Sequence, residues 1–345
     1  MSKVVVVKGR NRKANIKKAL QLMRHDINMA ITRKGSDTLF IKVNAMDIKI
    51  PSTCTDPVAV ESVVEFFYDK FEHVIVGDNS YAFIKYPNRN PYTYLTKKFE
   101  KVELSDLTRF GSKKIWFEDI NGYPIESRLS LLPKKTFTIS LSLPKSHDTV
   151  IFTGCTKNMV GCMVKRKWLI HGIPFFGRIF LKTTIKSFKP NRKNLVKLIK
   201  NARPDLSVLD GFTGIEGDGP LFGNTINLGI AMCSLDSIAL DSIAAKICGF
   251  DNVSYLSMCA NAKIGKAEFE DIEVLKEGFE NLKKIRKKFK PHYLFKYQKM
   301  YRKPDSNVPI IDVKWFFNDL IRRYYRIPDK LFGLLFYKIS SKNHS

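Results

Sequence analysis

Residues 56–76 read DPVAVESVVEFFYDKFEHVIV. Asp56 before Pro57 is a helix start: the carboxylate can accept an orphan N–H, and the fixed φ of proline suits the first helical position. The helix runs toward Phe71, and His73–Val76 follows as a strand. Upstream, Thr38–Val43 (TLFIKV) is another strand. Val4–Val7 is a continuous apolar run, as a strand buried on both faces requires. Between them, Arg12–Ile31 has helical spacing, with Ile16, Ala19, Leu20, Met23, Ile27 and Ile31 near one face. This β-α-β-α-β alternation predicts an α/β fold, a mostly parallel sheet with helices on both faces.

Regular structure recurs further on. Phe137–Leu143 alternates as a strand, Asn191–Ala202 reads as a basic helix, and Leu206–Leu209 and Ile226–Met232 as strands. Leu235–Cys248 is a strongly apolar helix stopped by Gly249. Val253–Ala262 reads as a helix, Ile272–Leu275 as a last strand and Glu277–Phe289 as a basic helix. Residues 88–130 are rich in Pro, Asn, Tyr and Lys and suggest an excursion or small subdomain. The expected division is an α/β domain over 1–290 and a basic, aromatic-rich helical extension over 291–345.

The 345 residues are 44% hydrophobic, enough for a substantial core, so disorder over most of the length is not expected. The net charge is +26. That sign favours anionic partners, whether nucleic acid, acidic lipid or phosphorylated metabolites. Residues 281–345 hold 17 Lys plus Arg against 4 Asp, and 17 − 4 = +13 is half of the total. The N-terminus reads as a first strand rather than a signal peptide, and no apolar run reaches the roughly 18–20 residues of a membrane span. The expected setting is cytoplasmic, with peripheral membrane attachment as an option. Cys54, Cys155, Cys162, Cys233, Cys248 and Cys259 include no CxxC pair, so no iron–sulfur cluster is expected.

Three stretches could carry chemistry. In Leu143–Met163 (LPKSHDTVIFTGCTKNMVGCM) a strand delivers Lys145, His147 and Asp148 into a loop, and Lys157 and Asn158 follow at a helix start. Ligands gather at the carboxyl ends of strands in α/β sheets. His147 is a candidate acid, base or metal ligand, and the lysines could neutralise a phosphate or carboxylate. The alternative is a strand-capping histidine with solvated lysines. The second stretch, Asp210–Asn224 (DGFTGIEGDGPLFGN), reads as a glycine loop after a strand. Gly217 and Gly219 could bring N–H groups to an anion, and Glu216 and Asp218 could hold a divalent cation. Its spacing matches no standard nucleotide loop. The third, Ser234–Phe250, places Asp236 as a helix cap and Asp241 among apolar residues, where a carboxylate needs a partner. His171, in IHGIPFFGR, is a weaker candidate.

Taken in order, these segments resemble the DUF362 family of archaea and bacteria, whose members are sometimes fused to ferredoxin modules. The likeness runs from Val4 to about Phe289 and includes Lys42 with Asn44, LPKSHD with KNMVGC, DGFTGIEGDGP and SLDSIALDSIAAKICGF. Val43 and Ser237 stand where the family usually has proline, and the ferredoxin cysteines are absent. The resemblance implies that Lys145, His147, Lys157, Asn158, Glu216, Asp236 and Asp241 converge on one site. It supplies no reaction. One functional reading is therefore a small anionic ligand in a composite enzymatic pocket: Lys145, His147 and Asp241 as catalytic groups, Lys42, Asn44, Lys157, Asn158, Gly217 and Gly219 binding the ligand, and a divalent cation on Glu216, Asp218 and Asp236. The other is binding of nucleic acid or an acidic membrane through the basic C-terminal region, residues 281–345.

Overall fold

The structure, a computed structural model, describes residues 1–48, 50–79, 83, 90–165, 170 and 186–295. Its strands are β1 (Ser2–Lys8), β2 (Thr38–Lys42), β3 (His73–Gly77), β4 (Val102–Ser105), β5 (Ser112–Glu118), β6 (Pro124–Ser130), β7 (Phe137–Ser142), β8 (Lys145–His147), β9 (Ile151–Thr153), β10 (Met163–Lys165), β11 (Leu206–Glu216), β12 (Asn224–Ser234) and β13 (Ile272–Glu277). The principal helices are α1 (Arg12–Leu22), α2 (Arg24–Lys34), α3 (Pro57–Phe67), α4 (Cys155–Asn158), α5 (Phe188–Asn201), α6 (Ser237–Ile247) and α7 (Ser254–Asn261).

The main sheet has the order β13-β1-β12-β11-β7-β2-β3-β4, with the short β8–β9 hairpin attached beside β11. Along that path only the contacts of β12 are antiparallel; every other neighbouring pair runs parallel. The continuous apolar runs are explained by burial on both faces. Val4 and Val6 of β1, Phe40 of β2 and Ile75 of β3 enter one core with α5, α6 and α7. Val5, Val7, Leu39, Ile41, Val74 and Val76 enter the other, with α1 and α3. Strand side chains alternate between faces, so a sheet covered on both sides needs apolar residues at every position. The α/β class expected from the alternation is the one observed.

Three expectations are corrected. The helix over Arg12–Ile31 is two helices, broken at buried Met23, whose N–H turns back to Leu20 O at 3.2 Å. No glycine or proline marks that break. The glycine loop from Asp210 is mostly strand: β11 continues to Glu216, pairs with β12 and leaves residues 217–223 as the turn. Asp210 accordingly lies mid-strand, where Arg12 bonds it (Nε to Oδ1, 3.2 Å) and also reaches Asp56 and Thr213. The stretch read as an excursion or subdomain is described over residues 90–130: β4 joins the edge of the main sheet, and β5 and β6 pair with β10 in a separate three-stranded antiparallel sheet.

The basic helix expected over Glu277–Phe289 is helical only at Leu282–Ile285. Past it, the N–H groups of Lys287 and Phe289 donate to Ile247 O and Cys248 O, at 2.8 and 2.9 Å. The end of α6 has carbonyls without helical partners, and this segment satisfies two of the last in that stretch. Phe289, 2% exposed, packs edge-on against Phe250. Residues 286–290 are thus a strap built into the α/β core. Phe289→Ala should lower the unfolding free energy by about 3–5 kcal/mol in chemical denaturation, as expected for emptying a buried aromatic site.

Candidate functional site

Parallel pairing aligns the carboxyl ends of β2, β3 and β7: Lys42 is level with Gly77 on one side and Ser140 on the other. Polar side chains just past those ends therefore meet. Lys42 Nζ lies 3.0 Å from Asp78 Oδ1 and donates to Val43 O (2.6 Å) and Asn158 Oδ1 (3.2 Å). Asp78 Oδ2 accepts from the Ala45 N–H at 2.9 Å. Asn158 Nδ2 donates to Lys42 O at 2.8 Å and to Ser140 Oγ at 3.1 Å, tying α4 to both strands. Gly161 sits against this pair; a Cβ there would collide with Lys42 Nζ and Asp78 Oδ1, so only glycine allows the approach.

Lys145 enters the same neighbourhood from β8. Its Nζ donates to Asn44 Oδ1 (3.1 Å) and to Thr53 O. Lys42 and Lys145 are each 1% exposed. Among the described residues no carboxylate forms an ion pair with Lys145, and burial holds its pKa down at about 8. Lys157 and Lys42 lower it further, while Cys54 and Asp78 oppose them.

His147 stands two residues along β8, hence on the same face as Lys145. Its Nδ1 is 2.8 Å from Asp148 Oδ1 and 3.1 Å from the Thr149 nitrogen. Burial, aided by the charge of Lys157, pushes its pKa down to about 4 against the pull of Asp148. The imidazole is therefore neutral at pH 7. Ile151, paired with His147 across the hairpin, has φ +73°, a left-handed conformation that is strained for a β-branched residue.

The other expected members lie apart from this cluster. Asp241 accepts the N–H groups of Cys155 and Thr156 at 2.9 and 2.8 Å, capping α4; burial nevertheless raises its pKa to about 6. Gly154 is glycine because a Cβ would meet that carboxylate. Asp241 is thus committed to holding α4 in place rather than facing a ligand. Asp236 caps its own helix through the Ile238 and Ala239 N–H groups. It follows Ser234, level with Ser207, whereas Glu216 is level with Asn224. Nine steps along β11 separate these two levels, about 30 Å at roughly 3.3 Å per residue, so Asp236 and Glu216 cannot share an ion.

Glu216 accepts the Lys290 N–H at 2.8 Å, and the Gly217 N–H donates to Lys290 O at 2.6 Å. Gly217 O takes the Ser146 hydroxyl at 2.8 Å, and Gly219 lies against the Ser146 backbone. Ser146 points away from the face that carries Lys145 and His147, so Gly217 and Gly219 back the strand instead of facing the lysines. Asp218 stands in the same turn. Among the described residues no group of three or more His, Cys, Asp or Glu is placed to hold a metal. His171 lies outside the described residues.

Sequence reasoning missed Asp78, Thr53 and Cys54. The signal for Asp78 was present: it follows β3 directly, beside the strand that ends in Lys42. Thr53 contributes a backbone carbonyl, which no residue type announces. An open cavity of about 290 Å³ lies elsewhere, near the amino ends of β2 and β3 around Thr38, His73 and Val102. The side chains of Lys42, Asp78, Lys145 and His147 at the carboxyl ends are each buried.

Comparison with known proteins places these features in a family. A thylakoid-associated protein of Synechocystis sp. is 30% identical over 130 residues, 37% of this chain and 37% of that protein; the chain thus matches little more than a third of that relative's length. The lactate racemase apoprotein from Thermoanaerobacterium thermosaccharolyticum superposes with a TM-score of 0.41 at 10% identity, over 88% of this chain and 90% of that one, a likeness too low to carry a functional argument. The family described as "Domain of unknown function (DUF362)" matches residues 39–246, more than half of the chain. The two lysines, Asn44, Asn158, His147 and Asp241 all fall inside that match, and the chain belongs to the DUF362 family.

Proposed function

We propose that this protein binds a small phosphate- or carboxylate-bearing ligand at the carboxyl ends of β2, β3 and β7, with Lys145 as the anion's principal partner. One observation carries the reading. Lys145 is a buried ammonium whose hydrogen bonds, among the described residues, go to neutral acceptors, Asn44 Oδ1 and Thr53 O. An unpaired buried charge costs several kcal/mol, and the pKa near 8 reflects that cost. Lys42 differs, because Asp78 already neutralises it. An anion beside Lys145 would supply what Asp78 supplies to Lys42. In this reading Asn44 and Asn158 orient the ligand, Lys157 adds positive potential, and His147, neutral at pH 7, accepts a proton from the ligand. Asp241 positions α4, and no divalent cation is required. Binding needs a local opening, because the cluster is covered.

A second reading rests on the basic residues 281–345 and on a relative that is named as thylakoid-associated. It makes the protein a peripheral ligand of acidic membranes. Residues 296–345 lie outside the described structure, and no described helix is long and apolar enough to cross a bilayer. Co-sedimentation should then appear with phosphatidylglycerol vesicles, be missing with phosphatidylcholine vesicles, and weaken steeply with salt. Equal binding to the two vesicle types would reject it.

The anion reading makes two further predictions. The folded pKa of Lys145 lies below its unfolded value of 10.5. Its stability contribution is therefore fully present above pH 10.5 and is lost as pH falls from there through about 8. Relative to Lys145→Met, the wild type should gain about 2 kcal/mol between pH 7 and pH 9.5 in urea denaturation. Inorganic phosphate should raise the melting temperature at pH 7, and Lys145→Met should remove that rise while substitution of exposed Lys276 leaves it intact. An unchanged phosphate response in Lys145→Met would sink the reading.

A further inference from the structure

The three-stranded sheet formed by β10, β6 and β5 buries one face. Ile115, Phe117, Leu129 and Met163 enter the core, each 4% exposed or less. The opposite face carries an unusual row. Lys114 is directly level with Arg128, and past a register irregularity after Met163 Arg128 is paired with Lys165. Lys165 is exposed where Met163 is buried, and Lys114, Arg128 and Lys165 all act on Glu126, so three cations stand on one side across all three strands. Like charges directly opposed in a sheet are destabilising. Among the described residues, partial relief comes from one carboxylate on this face, Glu126, 3.0 Å from Lys114. Arg128 donates to the hydroxyl of Ser112 at 3.3 Å, and Arg128 and Lys165 share with Lys114 the field of Glu126, so one carboxylate serves three cations. Glu118, at the margin, is engaged by Lys193 at 3.0 Å.

Beside this row Trp116 is 46% exposed, level with Glu126. Tyr123, 68% exposed, stands at the β5–β6 turn. A tryptophan open on the solvent face of a sheet, next to a group of cations, combines the two elements of single-strand recognition: an aromatic surface for a base and charges for the phosphates. We propose that the solvent face of the β10–β6–β5 sheet, with Lys114, Arg128, Lys165 and Trp116, is a docking platform for single-stranded nucleic acid. The face suits an acidic membrane less well. Trp116 lies mid-strand rather than at a protruding tip, and the turn itself carries Asp119 and Asn121, leaving Tyr123 as its one aromatic. Insertion into a bilayer needs a larger apolar surface. The platform is separate from the Lys145 cluster and stands without the anion reading.

The test uses the full chain and a labelled oligouridylate of about twelve nucleotides, followed by fluorescence anisotropy over a salt series. Trp116→Ala should weaken binding at least about 5-fold, the loss of one stacked base. Joint substitution of Lys114, Arg128 and Lys165 by Gln should reduce the slope of log K against log salt by about 2, as three lost phosphate contacts predict. The triple variant should stay folded, because none of the three side chains is buried. Wild-type affinity and salt slope in both variants would overturn the proposal and leave binding to the basic C-terminal region. Binding to acidic vesicles that requires Trp116, with no binding to the oligonucleotide, would overturn it in favour of a membrane contact.

Discussion

The buried ion pair between Lys42 and Asp78 is the constraint around which the carboxyl end of the sheet is arranged. Its two members are 1% and 5% exposed. Charges so far from water are costly unless each is paired and hydrogen-bonded. The neighbouring chain supplies those bonds: Val43 O and Asn158 Oδ1 to the ammonium, the Ala45 N–H to the carboxylate. Several local features then follow. Gly161 must lack a side chain, and Asn158 must face β2 and β7, which fixes α4. Asp241 must cap α4 from α6, and the apolar α6 thereby carries a buried acid. One pair thus propagates demands through two strands, a short helix and a long one.

The sheet was legible in the sequence because burial on two faces leaves a strong mark. Val4–Val7 and His73–Val76 are almost wholly apolar, and Asp56–Pro57 states a helix start in two residues. The observed β1, β3 and α3 correspond to those readings. What escaped was decided by partners distant in sequence. Gly211–Glu216 looks like loop because of its glycines, yet β12 pairs with all of it but Phe212. Lys283–Phe289 has helical composition, but the carbonyl end of α6 draws the N–H groups of Lys287 and Phe289 out of helical bonding. The break at Met23 leaves no local residue signal at all.

The candidate site was half legible for the same reason. Lys42, Asn44, Lys145, Asn158 and His147 cluster at or just past strand ends, and strand ends in a parallel sheet share one edge. Counting acidic residues by their spacing in the chain was less informative. Glu216, Asp236 and Asp241 each serve the backbone. Glu216 holds the strap at Lys290, Asp236 caps α6, and Asp241 caps α4. A short acid beside a helix start, or next to an adjoining backbone segment, is more simply explained by orphan N–H groups than by a metal. Asp78 was missed because it looks like part of a turn, GDN, until the register shows which lysine it faces.

The net charge of +26 acquires meaning only when divided by location. Many exposed lysines, such as Lys13, Lys17 and Lys98, lie near Glu61 or Glu65 and are worth little individually. Two places break that pattern in opposite ways. Lys145 is buried without a carboxylate among the described residues, where the lack of a counter-charge is costly because water is excluded. Lys114, Arg128 and Lys165 are on an open sheet face, where three cations share the single carboxylate of Glu126. In each case a sequence that could have placed a neutral residue did not. Local electrostatic conflict without a folding benefit is the physical mark of a surface or pocket shaped for something outside the chain. On the readings proposed above, the first place would take one small anion and the second a row of phosphates.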